Sequence, residues 1–186
     1  MGQISPSGAC SDAGVIDRPA PGLEVDLFRN AMAFLAGGVA VAACWDAEVP
    51  RGLLVSSITA LSTEPPRVLF CVRKASSSYN ALLRSRTCSL AVLAEQDRRE
   101  AERFSRPDRA AERFDPAHWT LNPAAPPRYR APLIGLEGRI GHRIDAGTHT
   151  IFVLDVHEAQ LSPDQPLVYF DRAFRGLRDL VEGAAN

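Results

Sequence analysis

The stretch Gly52-Leu-Leu-Val-Ser-Ser-Ile-Thr-Ala-Leu-Ser-Thr-Glu-Pro-Pro66 decides the fold class. Residues 53–61 are largely apolar, and a second apolar run, residues 68–72, follows at once. Pro65-Pro66 ends the first run as a strand because proline donates no ladder hydrogen bond. The two runs therefore predict two short strands in succession, with no room between them for a helical crossover. This arrangement is typical of antiparallel sheets.

The rest of the chain continues this pattern of short strands. Further strands are predicted over residues 39–44, 88–93, 133–140, 150–156 and 167–170. A first helix is predicted before Gly37-Gly38, from the helical spacing of Val25, Phe28, Met32 and Leu35. Two more helices are predicted over residues 79–84 and 94–104. Six to seven strands with peripheral helices predict a mainly β fold, an antiparallel barrel rather than a doubly wound parallel sheet.

The chain is predicted to hold one folded domain, residues 23–178. Residues 1–22 are rich in Gly, Ser, Ala and Pro, so we expect a flexible N-terminal arm, and residues 179–186 are expected to form a C-terminal tail. Residues 105–132 contain many prolines and no apolar periodicity. That composition predicts a long loop over the surface and a poor core element.

Charge and composition exclude several classes of partner. Lys and Arg number 21 against 22 Asp and Glu, for a formal net charge of −1, and no basic block is present. Such a balance gives no footprint for nucleic acid or for an anionic membrane. No secretory leader or membrane-spanning run is visible, so we expect a cytoplasmic protein.

The cysteines and histidines do not predict a metal site. Cys10, Cys44, Cys71 and Cys88 form no Cys-x-x-Cys pair, and we expect them to be reduced thiols. His142, His149 and His157 have no cysteines or carboxylates nearby at ligand spacing. No metal ion is therefore expected.

Neither of the common phosphate-binding glycine motifs is present. The chain has no Gly-x-Gly-x-x-Gly turn and no Gly-x-x-x-x-Gly-Lys-Ser/Thr loop, which argues against a Rossmann-type dinucleotide site. Gly135, Gly138 and Gly141 have another spacing and lie in a strand pattern. They predict β-bulges or tight bends.

Several short motifs nevertheless occur in the order found in one known family. They are Phe28-Arg-Asn-Ala-Met32, Ser56-Ser57, the segment 62–66, the serine turn 76–78 and Gly147-Thr148-His149, with further similarity at residues 93–96, 113–114 and 169–172. With these motifs the chain resembles the flavin reductase-like family over residues 25–176. These are small split-barrel proteins that supply reduced flavin to two-component monooxygenases.

The resemblance implies the architecture and the reaction. The fold would be an FMN-binding split β-barrel with Greek-key antiparallel topology, and the protein a homodimer with each flavin near the interface. The activity would be that of an NAD(P)H:flavin oxidoreductase, which transfers hydride from NADH or NADPH to FMN or FAD. Reduced flavin would then reach a partner monooxygenase by diffusion.

The resemblance also implies the flavin site. Backbone donors and hydroxyls at Val55, Ser56, Ser57 and Ile58 suit the ring edge, where fixed donors stabilise the negative charge of an accepted hydride. Charged and small polar groups before the second helix suit the phosphate, namely Arg73, Lys74, Ser76, Ser77 and Asn80. The remaining predicted cofactor-binding residues are Ser62, Cys71, Phe104, Tyr169 and Arg172. Taken singly, strand serines are often solvent-facing, and a serine cluster before a helix is most often a cap.

His149 is the predicted catalytic residue, placed beside the nicotinamide to orient its carboxamide or to balance charge during hydride transfer. The chain departs from the family at Thr148, where Asp is frequent, and at Leu54, Ala43 and Cys44, where threonines are common. Two alternatives remain open at this point. One is a diverged split-barrel flavoprotein that acts directly on a small organic substrate, and the other is a flavin-binding carrier without redox turnover.

Overall fold

The apolar run of residues 53–61 belongs to two strands that are separated at Ser56-Ser57. The computed structural model describes residues 23–177. Its helices are α1 (Val25–Ala33), α2 (Tyr79–Arg84) and α3 (Arg98–Ser105), with 3₁₀ turns at Glu95–Asp97 and Pro107–Glu112. Its strands are β1 (Gly37–Gly38), β2 (Ala40–Asp46), β3 (Val49–Val55), β4 (Ile58–Thr63), β5 (Pro66–Arg73), β6 (Thr87–Val92), β7 (Trp119–Thr120), β8 (Arg128–Tyr129), β9 (Ile134–Ala146), β10 (His149–Leu161), β11 (Leu167–Phe170) and β12 (Ala173–Gly176). The prediction of one strand across residues 53–61 is therefore wrong.

Seven strands form one antiparallel sheet in the order β3-β2-β6-β9-β10-β5-β4. Consecutive strands β3 and β4 lie at opposite edges of this sheet, although only Ser56-Ser57 joins them. Such a short link requires the sheet to curl until its two edges meet. The result is the antiparallel barrel that the sequence predicts, split between β3 and β4. We call this opening the seam.

The barrel interior is filled by apolar side chains from strands across the whole sheet. Ala42, Leu90, Phe70 and Phe152 are fully buried there, and the rings of Phe70 and Phe152 stack with centroids 5.4 Å apart. Alternate residues of β2 point to the other face, where Val41 is also fully buried. Because β2 is buried on both faces, it reads as a continuous apolar run in the sequence.

The second face of β2 packs against an aromatic cluster outside the barrel. Phe104, Phe114 and Trp119 form this cluster, with ring centroids between 4.9 and 5.4 Å apart. Trp119 is buried and donates its indole N–H to the buried Glu100 carboxylate at 2.7 Å. The expectation that residues 105–132 form a poor core element is therefore wrong at Phe114 and Trp119.

Two of the three glycines of β9, Gly138 and Gly141, lie at irregularities as predicted, whereas Gly135 pairs in regular register with Gln160 and Ala91. The pairing of β9 with β10 shifts register between Val153 and Leu154, and Gly141 is the extra residue on β9. A Cβ atom at Gly138 would lie 2.3 Å from the Asp155 carbonyl oxygen, so only glycine permits this close approach of two backbones.

Two of the predicted segments lie outside the described residues, namely the arm at residues 1–22 and the tail at residues 179–186. Cys44, Cys71 and Cys88 are free thiols, as expected, and Cys10 lies outside the described part. Within residues 23–177, no helix is both long and apolar enough to cross a bilayer.

Candidate flavin site at the barrel seam

A cavity of about 670 Å³ opens at the seam, and we call it the seam pocket. Its volume is in the range of pockets that hold small molecules and cofactors. The sequence-predicted site residues that line it are Val55, Ser56, Ser57, Cys71, Arg73, Ser76, Ser77, Phe104, His149 and Tyr169. The fold therefore brings most of the predicted site together.

Two predicted cofactor-binding cations lie outside the seam pocket. Lys74 pairs through its Nζ atom with the Asp145 carboxylate at 2.7 Å, and this contact holds the pKa of Asp145 below its ordinary value. Arg172 donates to the side chain of Asn30 in α1. Arg73 is thus the cation that β5 places at the pocket.

Three predicted uncharged residues also lie away from its walls. Ile58 packs against the barrel core, and the Ser62 hydroxyl donates to the carbonyl of Pro65. Asn80 is exposed on α2. Contacts of these residues with a cofactor remain predictions.

Backbone groups of β3 face the seam. The Gly52 carbonyl accepts hydrogen bonds from the Ser78 hydroxyl at 2.8 Å and from the Arg113 guanidinium at 3.3 Å, so it points away from β2. Backbone groups of an antiparallel strand alternate with a period of two residues. The N–H and C=O groups of Leu54, which lines the pocket, therefore face the same side. They offer donor and acceptor to a ring edge, although Leu54 lacks the hydroxyl common in the family.

Ser57 anchors the chain on the β4 side of the seam opening. Its hydroxyl donates to the Cys71 carbonyl at 3.2 Å and accepts a bond from the Cys71 N–H at 3.2 Å. This exchange fixes the start of β4 against β5. Ser56, one residue earlier, is exposed at the pocket.

The serine turn before α2 is held by contacts other than a helix cap. Ser76 donates its N–H to the Arg73 carbonyl at 3.0 Å, and its hydroxyl accepts a weak bond from the Ser78 N–H at 3.4 Å. Ser78, at the N-cap position, makes no side-chain cap bond. Its buried hydroxyl is directed instead to Gly52 of β3. The turn is therefore fastened to the seam, with Ser76 and Ser77 lining the pocket.

His149 is the first residue of β10. Two residues earlier, Gly147 has a φ of 70°, which suits glycine and makes the tight turn from β9 possible. The imidazole Nδ1 lies 2.9 Å from the Thr148 hydroxyl, and strand register places His149 opposite Arg73. The exposed imidazole and the Arg73 guanidinium thus belong to the same end of the pocket.

Sequence reasoning missed one charged residue of the pocket, Arg113. Its guanidinium lies over the Phe104 ring, 5.4 Å from the centroid, and burial lowers its pKa. The only feature of the sequence that pointed to Arg113 was the similarity of Arg113-Phe114 to the family. That similarity does not show that the Arg113 side chain reaches the seam.

The residues present fit a flavin. Val55, Phe104 and Tyr169 supply apolar and aromatic walls, while the β3 edge supplies backbone polar groups for a ring edge. Arg73 and the serine turn supply a cation and small donors for a phosphate. A split barrel with such a pocket defines a class of proteins that bind a phosphorylated aromatic cofactor.

Comparison with known proteins specifies this class. The family model described as flavin reductase like domain matches residues 32–178, and the chain belongs to this family. The chain is 36% identical over 148 residues to an FMN reductase (NADH) of Agrobacterium fabrum, covering 79% of this chain and 83% of that protein. It is 31% identical over 147 residues to the reductase component of a 4-nitrophenol 4-monooxygenase/4-nitrocatechol 2-monooxygenase of Rhodococcus opacus. That match covers 79% of this chain and 78% of that protein.

A solved structure shares the fold. The NADH:FAD oxidoreductase of Streptomyces globisporus, in complex with NAD and FAD fragments, superposes with a TM-score of 0.72 at 28% identity. The match covers 80% of this chain and 89% of that one. This likeness supports the split-barrel fold and the family assignment.

Proposed function

We propose that this chain is an NADH-dependent flavin reductase that provides reduced FMN or FAD to a partner monooxygenase. The observation that carries the proposal is the seam pocket, in which Arg73, the serine turn and His149 meet the free edge of β3. Family membership supports the same function, as do the relatives named as FMN reductase (NADH) and as a monooxygenase reductase component.

The residues of the chain would bind the flavin and orient the nicotinamide beside it. The bound flavin supplies the ring that accepts hydride from the reduced nicotinamide. The backbone groups of Leu54 and the exposed Ser56 would hold the ring edge, and fixed donors there stabilise negative charge. Arg73 with Ser76 and Ser77 would hold phosphate through charge-assisted bonds. His149, steadied by the Thr148 hydroxyl, would orient the nicotinamide carboxamide.

The exposed face of α1 supports a homodimer as part of this proposal. None of the residues of α1 is buried, and large apolar side chains such as Phe28, Met32 and Leu35 at or near this helix are exposed. The helix is attached at its C-terminal end, where the Asp171 N–H donates to the Ala33 carbonyl at 2.7 Å. Apolar faces of this kind mark protein–protein contacts. We propose that a second copy covers it, in a cytoplasmic protein whose thiols stay reduced.

The test is NADH and NADPH oxidation by the purified full chain, followed by loss of nicotinamide absorbance with and without FMN, FAD or riboflavin. We expect rapid NADH oxidation that requires both protein and free flavin. Oxidation that instead requires a small organic substrate would favour the diverged flavoenzyme. Flavin binding without oxidation of either NADH or NADPH would favour the carrier and refute the reductase.

A further inference from the structure

Arg113 differs from nearby arginines because its positive charge is not paired with a carboxylate among the described residues. Its guanidinium donates to three backbone carbonyls, those of Gly52 at 3.3 Å, Arg103 at 3.1 Å and Arg106 at 2.9 Å. Among residues 23–177, no carboxylate lies within salt-bridge distance of it. The position of the charge is therefore fixed, but the charge is not neutralised by the described part of the chain.

Two other arginines on the same segment show the usual arrangement. Arg103 pairs with Glu100 at 2.9 Å, and Arg109 pairs with Glu112 at 2.7 Å. Neither of them lines the seam pocket, whereas Arg113 does. Of these three arginines, Arg113 is the one without a carboxylate partner among the described residues, and it is also the one that lines the pocket.

The guanidinium also retains donors. Arginine has five N–H groups in a planar fork, and the three carbonyl bonds use one on each nitrogen. One N–H on each terminal nitrogen has no acceptor among the described residues. A fixed fork with two remaining donors suits the oxygens of a phosphate, which arginine binds in this bidentate way.

The location of Arg113 matches the phosphate end of the pocket. Its Nη1 atom and the Ser78 hydroxyl donate to the same Gly52 carbonyl, at 3.3 and 2.8 Å. These two bonds limit the separation of Nη1 from the serine turn to about 6 Å. Lys74, which follows Arg73 in the sequence, is engaged with Asp145 instead.

We propose that Arg113 binds the flavin phosphate and makes the seam pocket select phosphorylated flavins over riboflavin. The inference rests on the proposed function, since it assigns a role within that site. FMN and FAD both carry this phosphate and riboflavin does not. The preference would therefore arise from the residue that follows the 3₁₀ turn Pro107–Glu112, in addition to the strand and turn of Arg73 and Ser76.

The test is equilibrium binding of FMN, FAD and riboflavin to the full chain, measured by titration calorimetry or by quenching of flavin fluorescence. We expect Arg113→Gln to weaken FMN and FAD binding about 10- to 100-fold, the range for loss of a charged hydrogen-bonding partner. Riboflavin affinity should change less than about threefold, which also reports that the variant is folded. Arg113→Lys should recover part of the FMN affinity because it restores the charge without the fork.

Arg109→Gln is the matched control, since it removes the same charge from the same segment away from the pocket, and all three flavins should bind it as they bind the parent protein. Equal weakening of FMN and riboflavin by Arg113→Gln would overturn the proposal and leave Arg113 a structural clamp. A raised KM for NADH with unchanged flavin affinities would also overturn it and assign the charge to the nicotinamide phosphates. A parent protein that binds none of the three flavins would refute the proposed function itself.

Discussion

Gly52→Ala tests whether close packing at β3 maintains the pocket. A Cβ atom at this buried position would lie 2.9 Å from Phe104 Cε1, 2.9 Å from Phe114 Cζ and 3.0 Å from the Ala42 carbonyl oxygen. The backbone oxygen cannot move without disturbing the β2–β3 ladder. The two rings cannot retreat freely either, because both pack against Trp119 with centroids about 5 Å away.

The expected destabilisation follows from these contacts. Overpacking of a well-filled core typically costs about 1–3 kcal/mol. For a chain of this length, 1 kcal/mol corresponds to roughly 2–4 °C in Tm. We therefore expect the Tm of Gly52→Ala to fall by roughly 2–12 °C. Because Phe104 lines the seam pocket, affinity for FMN should fall as well.

The assay is thermal unfolding followed by circular dichroism at one fixed protein concentration, since the proposed dimerisation would make Tm depend on concentration. Gly38→Ala is the matched control, because a Cβ atom there meets nothing within 4 Å. We expect its Tm to stay unchanged or to rise slightly, as alanine restricts the unfolded chain. If the two variants unfold at the same temperature, the packing argument at Gly52 is refuted.

Three further substitutions test the site and the assembly. His149→Ala should lower kcat/KM for NADH about tenfold or more while flavin affinity is retained, and an unchanged kcat/KM in steady-state kinetics would remove His149 from the site. Lys74→Ala should change FMN affinity by less than about threefold in fluorescence titration, because Lys74 is engaged with exposed Asp145, and a loss of tenfold or more would return Lys74 to the phosphate site. Phe28→Asp should convert the proposed dimer to a monomer in light scattering, since it places a charge on the exposed apolar face of α1, and a persistent dimer would place the interface elsewhere.

The strands and helices with local signals were predictable from the sequence. Helix α2 and strand β11 have the predicted bounds, residues 79–84 and 167–170. Each signal is local, a serine cluster before a helix or a short apolar run between polar residues. The division at Ser56-Ser57 was not predictable in this way, because the apolar pattern continues across it. The break follows only from the closure of the sheet, because at Ser56-Ser57 the chain leaves β3 at one edge of the sheet and enters β4 at the opposite edge.

The aromatic cluster and Arg113 show why part of the site was missed. Phe114 and Trp119 lie in a proline-containing segment without periodicity, so their burial depends on contacts with other elements, of which β2 is distant in sequence. Arg113 makes its decisive bond to Gly52, 61 residues earlier in the chain. Charged residues in such a segment are ordinarily solvated. Their participation in a site is visible only when the two segments are seen together.

The seam explains why binding residues from separate segments converge at this position. A closed barrel pairs all its strand edges, whereas this barrel leaves the outer edge of β3 free near Ser56-Ser57. The Gly52 carbonyl uses that edge to fasten both the serine turn, through Ser78, and the segment after α3, through Arg113. The absence of a side chain at Gly52 also admits the Phe104 and Phe114 rings. One strand edge thus positions the polar, cationic and aromatic walls of the pocket together, and a change at Gly52 should alter all three.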